Sequence, residues 1–150
     1  MYAGTCGETM ICAGGTNFPD KPMLEGGAKT WTDRIFTLSP GENGWTEAGT
    51  LPAPYAYGAS ASTREGLLCI GGCGKEGHRK DVYLLSTADG AVTVTPFPPL
   101  PIALAYTAAA VLGGKVYLTG GCERPGEQDC TNRVFMLDAR GPEQGWQELD

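Results

Sequence analysis

A chain of 150 residues can enclose one domain with a sizeable core, and a formal net charge of -6 argues against nucleic acid or an anionic membrane surface as partner. No apolar run approaches the roughly 18 residues of a membrane span, and no basic-then-apolar leader is visible, so a soluble protein is expected. With 23 glycines, 11 prolines and a single histidine, many turns are expected.

Three copies of one pattern organise the chain. An apolar strand runs into a glycine pair, a loop follows, and a second apolar strand resumes. The pattern goes from Met10 through Gly14-Gly15 to Ile35-Phe36, from Leu67 through Gly71-Gly72 to Val82-Tyr83, and from Val116 through Gly120-Gly121 to Val134-Phe135. Aligned on aromatic starts, Tyr2, Tyr57 and Tyr106 each open a small-residue strand. That strand turns tightly, at Gly7-Glu8, Arg64-Glu65-Gly66 and Gly113-Gly114, into the apolar one. Such turns predict hairpins. After the third strand, Gly-rich turns at 39–44, 87–90 and 141–145 lead to a fourth strand at Trp45, Val94 or Trp146. Leu51-Pro52 and Leu100-Pro101 close the first two units.

The run Leu67-Leu68-Cys69-Ile70 is continuous rather than alternating, which predicts a strand covered on both faces by its neighbours. Ala59-Ser60-Ala61 and Ala108-Ala109-Ala110 suit strands crowded around a central channel. Cys12 and Cys69 occupy the register of Leu118 and read as small core residues. No CxxC or Cys/His spacing suggests zinc. Cys122 and Cys130 are placed to bridge the ends of a loop in an exported protein.

Four short strands per unit of about 45 to 50 residues, with a double glycine after the second and an aromatic in the fourth, match the Kelch type of β-propeller blade. The expected fold is all-β: one partial propeller over 1–150, with four-stranded antiparallel blades at about 2–52, 57–101 and 106–150. Three blades cannot close a ring, and each outer blade would leave an apolar flank in water. The third unit would reach its Leu-Pro beyond Asp150. Half of a six-bladed ring is therefore expected, either a fragment or a protomer pairing three plus three as a homodimer.

Up-and-down connectivity puts the loops between second and third strands at one end, together with the Pro-rich linkers carrying Tyr57 and Tyr106. Long loops at 16–32, 73–80 and 122–131 make that end the place for chemistry. Its candidates are Asn17, Glu25, Lys29, Trp31, Glu76, His78, Arg79, Glu123, Arg124 and Arg133. Trp31 suits stacking on a sugar ring, or equally packing its own loop. Glu25 and Glu76 offer a general acid or base if desolvated; otherwise they are solvated loop carboxylates. Arg79 suits a bidentate clamp on a carboxylate, or pairing with a loop acid. His78 is the side chain with an ordinary pKa near neutrality, expected to be exposed between Gly77 and Arg79.

The run Ala13-Gly14-Gly15-Thr16-Asn17-Phe18-Pro19, followed by Glu25-Gly26-Gly27, Lys29, Trp31, Asp33 and Ala56-Tyr57-Gly58, resembles the N-acetylneuraminate mutarotases and their cyclically permuted relatives. The resemblance covers roughly residues 2–95. It implies a six-bladed propeller that interconverts anomers of sialic acid without a metal or organic cofactor, with a sugar acid as its partner. Mutarotation needs one group to take the anomeric hydroxyl proton and another to protonate the ring oxygen. The resemblance places the family's proposed catalytic Glu and Arg on the blade before the one bearing this string, so the chain is expected to lack that pair; Glu76 and Arg79, on the equivalent loop of another blade, with His78, are the catalytic candidates in their place. Asn17, Glu25, Trp31, Tyr57 and Arg124 are the substrate-binding ones. The alternative is a Kelch interaction module without catalytic activity; a copper oxidase of the same fold needs more than one His. Reduced core cysteines favour the cytoplasm, with periplasmic or secreted placement the alternative if a signal segment lies upstream.

Overall fold

Each unit of the repeat folds as its own four-stranded antiparallel sheet. The computed structural model describes residues 1–88, 90–125 and 130–150, so positions 126–129 of the third long loop and position 89 of the turn at 87–90 lie outside the described residues. The first sheet contains β1 (Tyr2–Cys6), β2 (Thr9–Asn17), β3 (Thr30–Leu38) and β4 (Thr46–Thr50), in that order. The second contains β5 (Ala59–Ser62) and β6 (Leu67–Ile70). A small hairpin then intervenes, β7 (Cys73–Gly74) with β8 (Gly77–His78), before β9 (Val82–Ala88) and β10 (Ala91–Phe97) complete the sheet in the order β5-β6-β9-β10. The third contains β11 (Ala108–Leu112), β12 (Lys115–Thr119), β13 (Val134–Asp138) and β14 (Gln147–Leu149).

The middle sheet is buried on both faces, as its unbroken apolar second strand requires. Leu67, Cys69 and Leu85 pack against Ile11, Ala13 and Ile35 of the first sheet. Leu68, Ile70 and Val82 pack the other way, against Val116, Leu118, Phe135 and Leu137 of the third. The Leu, Ile, Val and Phe side chains among these contribute roughly 1.5–3 kcal/mol each when fully buried. These two seams therefore hold the three sheets together. Near the innermost strands, backbone N–H groups of Ala3 and Thr5 donate to the hydroxyls of Ser60 and Ser62 at 3.0 and 2.8 Å. Small side chains permit that approach between β1 and β5.

The glycine pairs of the first two sheets lock each of them to the linker that follows it. The N–H of Gly15 donates to the Tyr55 carbonyl and that of Gly72 to the Leu104 carbonyl, both at 2.7 Å. Gly71 has φ +59°, and a Cβ there would stand 2.5 Å from the Leu104 oxygen. Backbone crowding and a left-handed conformation together exclude a side chain. The pair is thus an inter-blade device.

Backbone register corrects the alignment of the aromatic starts. Ala3, Ser60 and Ala109 lie opposite Cys12, Cys69 and Leu118, so Tyr2 corresponds to Ala59 and Ala108. Tyr2 sits inside a strand, buried, and its hydroxyl donates to the Gly71 carbonyl at 2.5 Å. Tyr57 and Tyr106 instead occupy linkers, each with φ +61°. Cys12 is only half-buried, whereas Cys69 and Leu118 are buried, because Cys12 faces the flank of the first sheet that no other described element covers. Trp45 and Trp146 stand one residue ahead of β4 and β14 rather than within them.

Candidate functional site

At the end expected for chemistry, a cavity of about 300 Å³ opens between residues contributed by all three units. Lys29 and Trp31 come from the edge of β3, Tyr57 and Tyr106 from the two linkers, and Cys73, Lys75, Glu76 and His78 from the β7–β8 hairpin. Four rings form a row along it. Trp31 meets Tyr57 edge-on with centroids 5.9 Å apart, Tyr57 lies 5.1 Å from Tyr106, and Tyr106 meets His78 edge-on at 5.9 Å. Lys29 Nζ sits 4.6 Å from the Tyr57 ring centroid and 5.1 Å from that of Trp31. An ammonium held over two aromatic faces is a cation–π arrangement.

The linkers hold their tyrosines in a strained conformation. A bulky residue at φ +61° costs on the order of 1–3 kcal/mol and persists only where its surroundings impose it. Here paired hydrogen bonds impose it. Ala56 and Cys73 exchange N–H···O bonds of 2.9 and 2.7 Å, Ala105 and Cys122 exchange bonds of 3.1 and 2.8 Å, and the Tyr106 N–H donates to the Tyr57 carbonyl at 2.7 Å. Thr16, Cys73 and Cys122 each directly follow a glycine pair, and the Thr16 hydroxyl lies 3.1 Å from that of Tyr57. One register position therefore meets the linker in every unit.

These contacts alter proton affinities. Hydrogen bonds from Lys29 and Thr16 hold the Tyr57 phenol below its ordinary value, and the same partnership raises Lys29. Burial raises Tyr106 and Cys73. The His78 Nδ1 lies 2.9 Å from the Cys122 carbonyl. Because a carbonyl only accepts, Nδ1 carries the hydrogen, and Nε2 is the nitrogen left to accept a proton.

Of the residues singled out from sequence, Lys29, Trp31, Tyr57, Glu76 and His78 line this cavity. His78 is half-buried within β8 rather than exposed, since the hairpin folds it back toward Cys122. Arg79 lines an adjoining cavity of about 410 Å³ with Trp31, Pro54, Lys75 and Glu76. Its guanidinium lies 5.7 Å from the Tyr55 ring centroid and 3.2 Å from the Glu76 carboxylate, while its Nε is buried without a hydrogen-bond partner. Glu76 is 82% exposed at its side chain and so is a solvated carboxylate rather than a desolvated base.

Asn17, Glu25 and Arg124 line neither cavity. Asn17 accepts from the Thr30 hydroxyl at 2.5 Å, and Glu25 ends an exposed 3-10 turn, Met23–Glu25. Arg133 is drawn off by two carboxylates: Glu148, in a two-pronged pair at 2.6 Å, and Glu123 at 3.6 Å. It covers Phe135 as Arg34, paired with Glu47, covers Phe36. That recurrence marks a structural clasp. Tyr106, Cys73 and Lys75 complete the site without having been singled out. Tyr106 could have been found from its repetition of Tyr57 in the linker, and Cys73 from its place after the glycine pair.

Comparison with known proteins matches a Kelch motif to residues 103–142, the stretch that ends one linker and forms most of the third sheet. The N-acetylneuraminate epimerase of Brucella suis is 35% identical over 103 residues, covering 62% of this chain and 26% of the relative. Its resemblance to the Kelch-repeat N-acetylneuraminate epimerase family therefore holds. The epimerase of Vibrio cholerae is 33% identical over 104 residues with the same shares, and that of Vibrio vulnificus 35% over 80 residues, 47% of this chain and 20% of the relative. The chain thus spans about a quarter of the length of the first of these epimerases. Its all-β architecture is that of Kelch-type blades. Among the described residues no helix is long and apolar enough to cross a membrane.

Proposed function

We propose that these blades supply part of the sugar-binding wall of a mutarotase that interconverts anomers of N-acetylneuraminate or a closely related sugar acid. The observation carrying this reading is the row Trp31, Tyr57, Tyr106 and His78 with Lys29 seated on it, in a chain similar to N-acetylneuraminate epimerases. Aromatic faces suit the apolar face of a sugar ring, and Lys29 suits its carboxylate. Anomer exchange opens the ring: the anomeric hydroxyl loses a proton while the ring oxygen gains one. His78 Nε2 is an acceptor for the first proton, and the Tyr57 phenol is a donor for the second. Arg79 and Glu76, at the neighbouring cavity, bind the far end of the same substrate.

The reading also supplies a use for the uncovered flanks. Further blades, from a longer chain or from a second copy pairing three plus three, would cover them and close the ring. A second reading, a Kelch surface for a protein partner, draws on Met23 and Leu24, which are 64% and 94% exposed on the first long loop. Magnetisation-exchange NMR on N-acetylneuraminate separates the two. A protein carrying these blades with their flanking ones is expected to accelerate exchange between α and β anomers, and Tyr57→Phe to slow it at least about tenfold. Exchange no faster than in buffer would leave only the interaction surface.

A further inference from the structure

Outside the proton-transferring groups, one pair of side chains is brought together by the fold and used by nothing described so far. Cys122 and Cys130 stand directly opposite one another in an isolated antiparallel bridge at the base of the third unit's long loop. Directly opposed residues in such a pair have Cα atoms roughly 4.5–5.5 Å apart, within the span of about 4.4–6.8 Å that a disulfide accepts without moving backbone. Their sulfurs lie 3.0 Å apart. Cys130 is exposed, whereas Cys69 and Cys73 are buried in the seam and beside the cavity. The pair is thus both pre-positioned and reachable.

Cys122 is also the residue through which the third unit holds the cavity. Its carbonyl faces His78 Nδ1 at 2.9 Å and accepts from the Ala105 N–H at 3.1 Å, while its own N–H donates to Ala105 at 2.8 Å. Ala105 immediately precedes Tyr106. A change at the Cys122 sulfur is therefore one residue's length from two rings of the row.

We propose that Cys122 and Cys130 form a reversible disulfide, a redox clasp that joins these two strand positions beside the rim of the cavity. Its oxidant is a small-molecule disulfide of the glutathione class. The exposed Cys130 thiolate attacks that disulfide, forming a mixed disulfide and expelling one thiolate. Cys122 then attacks the Cys130 sulfur as its thiolate and expels the second. Two protein thiols lose two protons and two electrons, and the small disulfide leaves as two thiols. Excess thiol runs the steps backward. This proposal stands whether or not the sugar reading does.

The test equilibrates the protein in glutathione buffers from fully reduced to fully oxidised, followed by acid quenching, alkylation and peptide mapping. The expected oxidised species carries a single 122–130 cross-link and four alkylated cysteines, returns to six alkylated cysteines under excess thiol, and in Cys122→Ser is replaced by a glutathione adduct on Cys130. Stable glutathione adducts in the unsubstituted protein, or cross-links joining other cysteines, would overturn it. His78 is the single histidine, so its ring C–H resonance reports the coupling. That resonance is expected to shift on oxidation and to stay fixed in Cys130→Ser; a shift in both, or in neither, would contradict the link to the cavity.

Discussion

Trp45 and Trp146 hold the same register position in two sheets, since Phe36 lies opposite Glu47 and Phe135 opposite Glu148, yet their surroundings differ completely. Trp146 is 9% exposed, packs in the seam with the middle sheet, and donates its indole N–H to the Pro98 carbonyl at 2.9 Å. Trp45 is 46% exposed. In the middle sheet the same position is Val94, which packs toward the first sheet. Each blade thus buries this residue against the blade before it, and the first blade has none among the described residues. Burial here is a property of the seam, not of the residue.

The largest expected effect breaks that seam. Trp146→Ala should cost about 3–5 kcal/mol in urea unfolding, by loss of a large buried ring and its hydrogen bond, whereas Trp45→Ala should change stability by less than about 1 kcal/mol. Equal losses would mean that both rings are buried. The glycine pairs sharpen the same contrast. Gly71 and Gly120 have φ of +59° and +66°, but the Leu104 carbonyl crowds only the first; at Gly120 the nearest atom to an added Cβ is the Thr131 oxygen, 3.9 Å away. Gly71→Ala should therefore cost at least about 3 kcal/mol, conformational strain plus a displaced linker, and Gly120→Ala about 1–2 kcal/mol from strain alone. A matching loss at Gly120 would show that conformation, not the neighbouring linker, requires glycine.

A smaller and more local effect separates the cavity from the seam. The Lys29 ammonium favours the Tyr57 phenolate, so Tyr57 should ionise below the ordinary tyrosine value of 10.0, while buried Tyr2 and half-buried Tyr83 ionise above it. Absorbance at the phenolate band should rise first at Tyr57 as pH increases, and Lys29→Ala should push that first step upward. An unmoved step would take Lys29 out of the site.

Much of this was legible in the residues. Glycine pairs, apolar second strands and tight turns each report local backbone requirements, so they located the hairpins and the doubly covered middle strand. Aromatic spacing misled, because Tyr2 and Tyr57 share a letter but not a hydrogen-bond register. The cavity was half legible. Lys29, Trp31, Tyr57, Glu76 and His78 could be placed at the correct end by loop length and linker position, but the partnership of His78 with Cys122, and of Lys29 with Tyr57, joins positions 44 and 28 residues apart. Such contacts arise from how one sheet stacks on the next. No local pattern encodes them, and none foretold that Asn17 and Glu25 would turn away.

The three tryptophans also provide the most direct measurement of where the sugar binds. Their indole N–H signals in a 15N-labelled chain can be followed while N-acetylneuraminate is added. The Trp31 signal is expected to shift in proportion to occupancy, while the signals of Trp45, on the uncovered flank, and Trp146, tied to Pro98, remain in place. A shift confined to Trp45, or no shift at any of the three, would contradict the assignment of the cavity between the linkers as the sugar site.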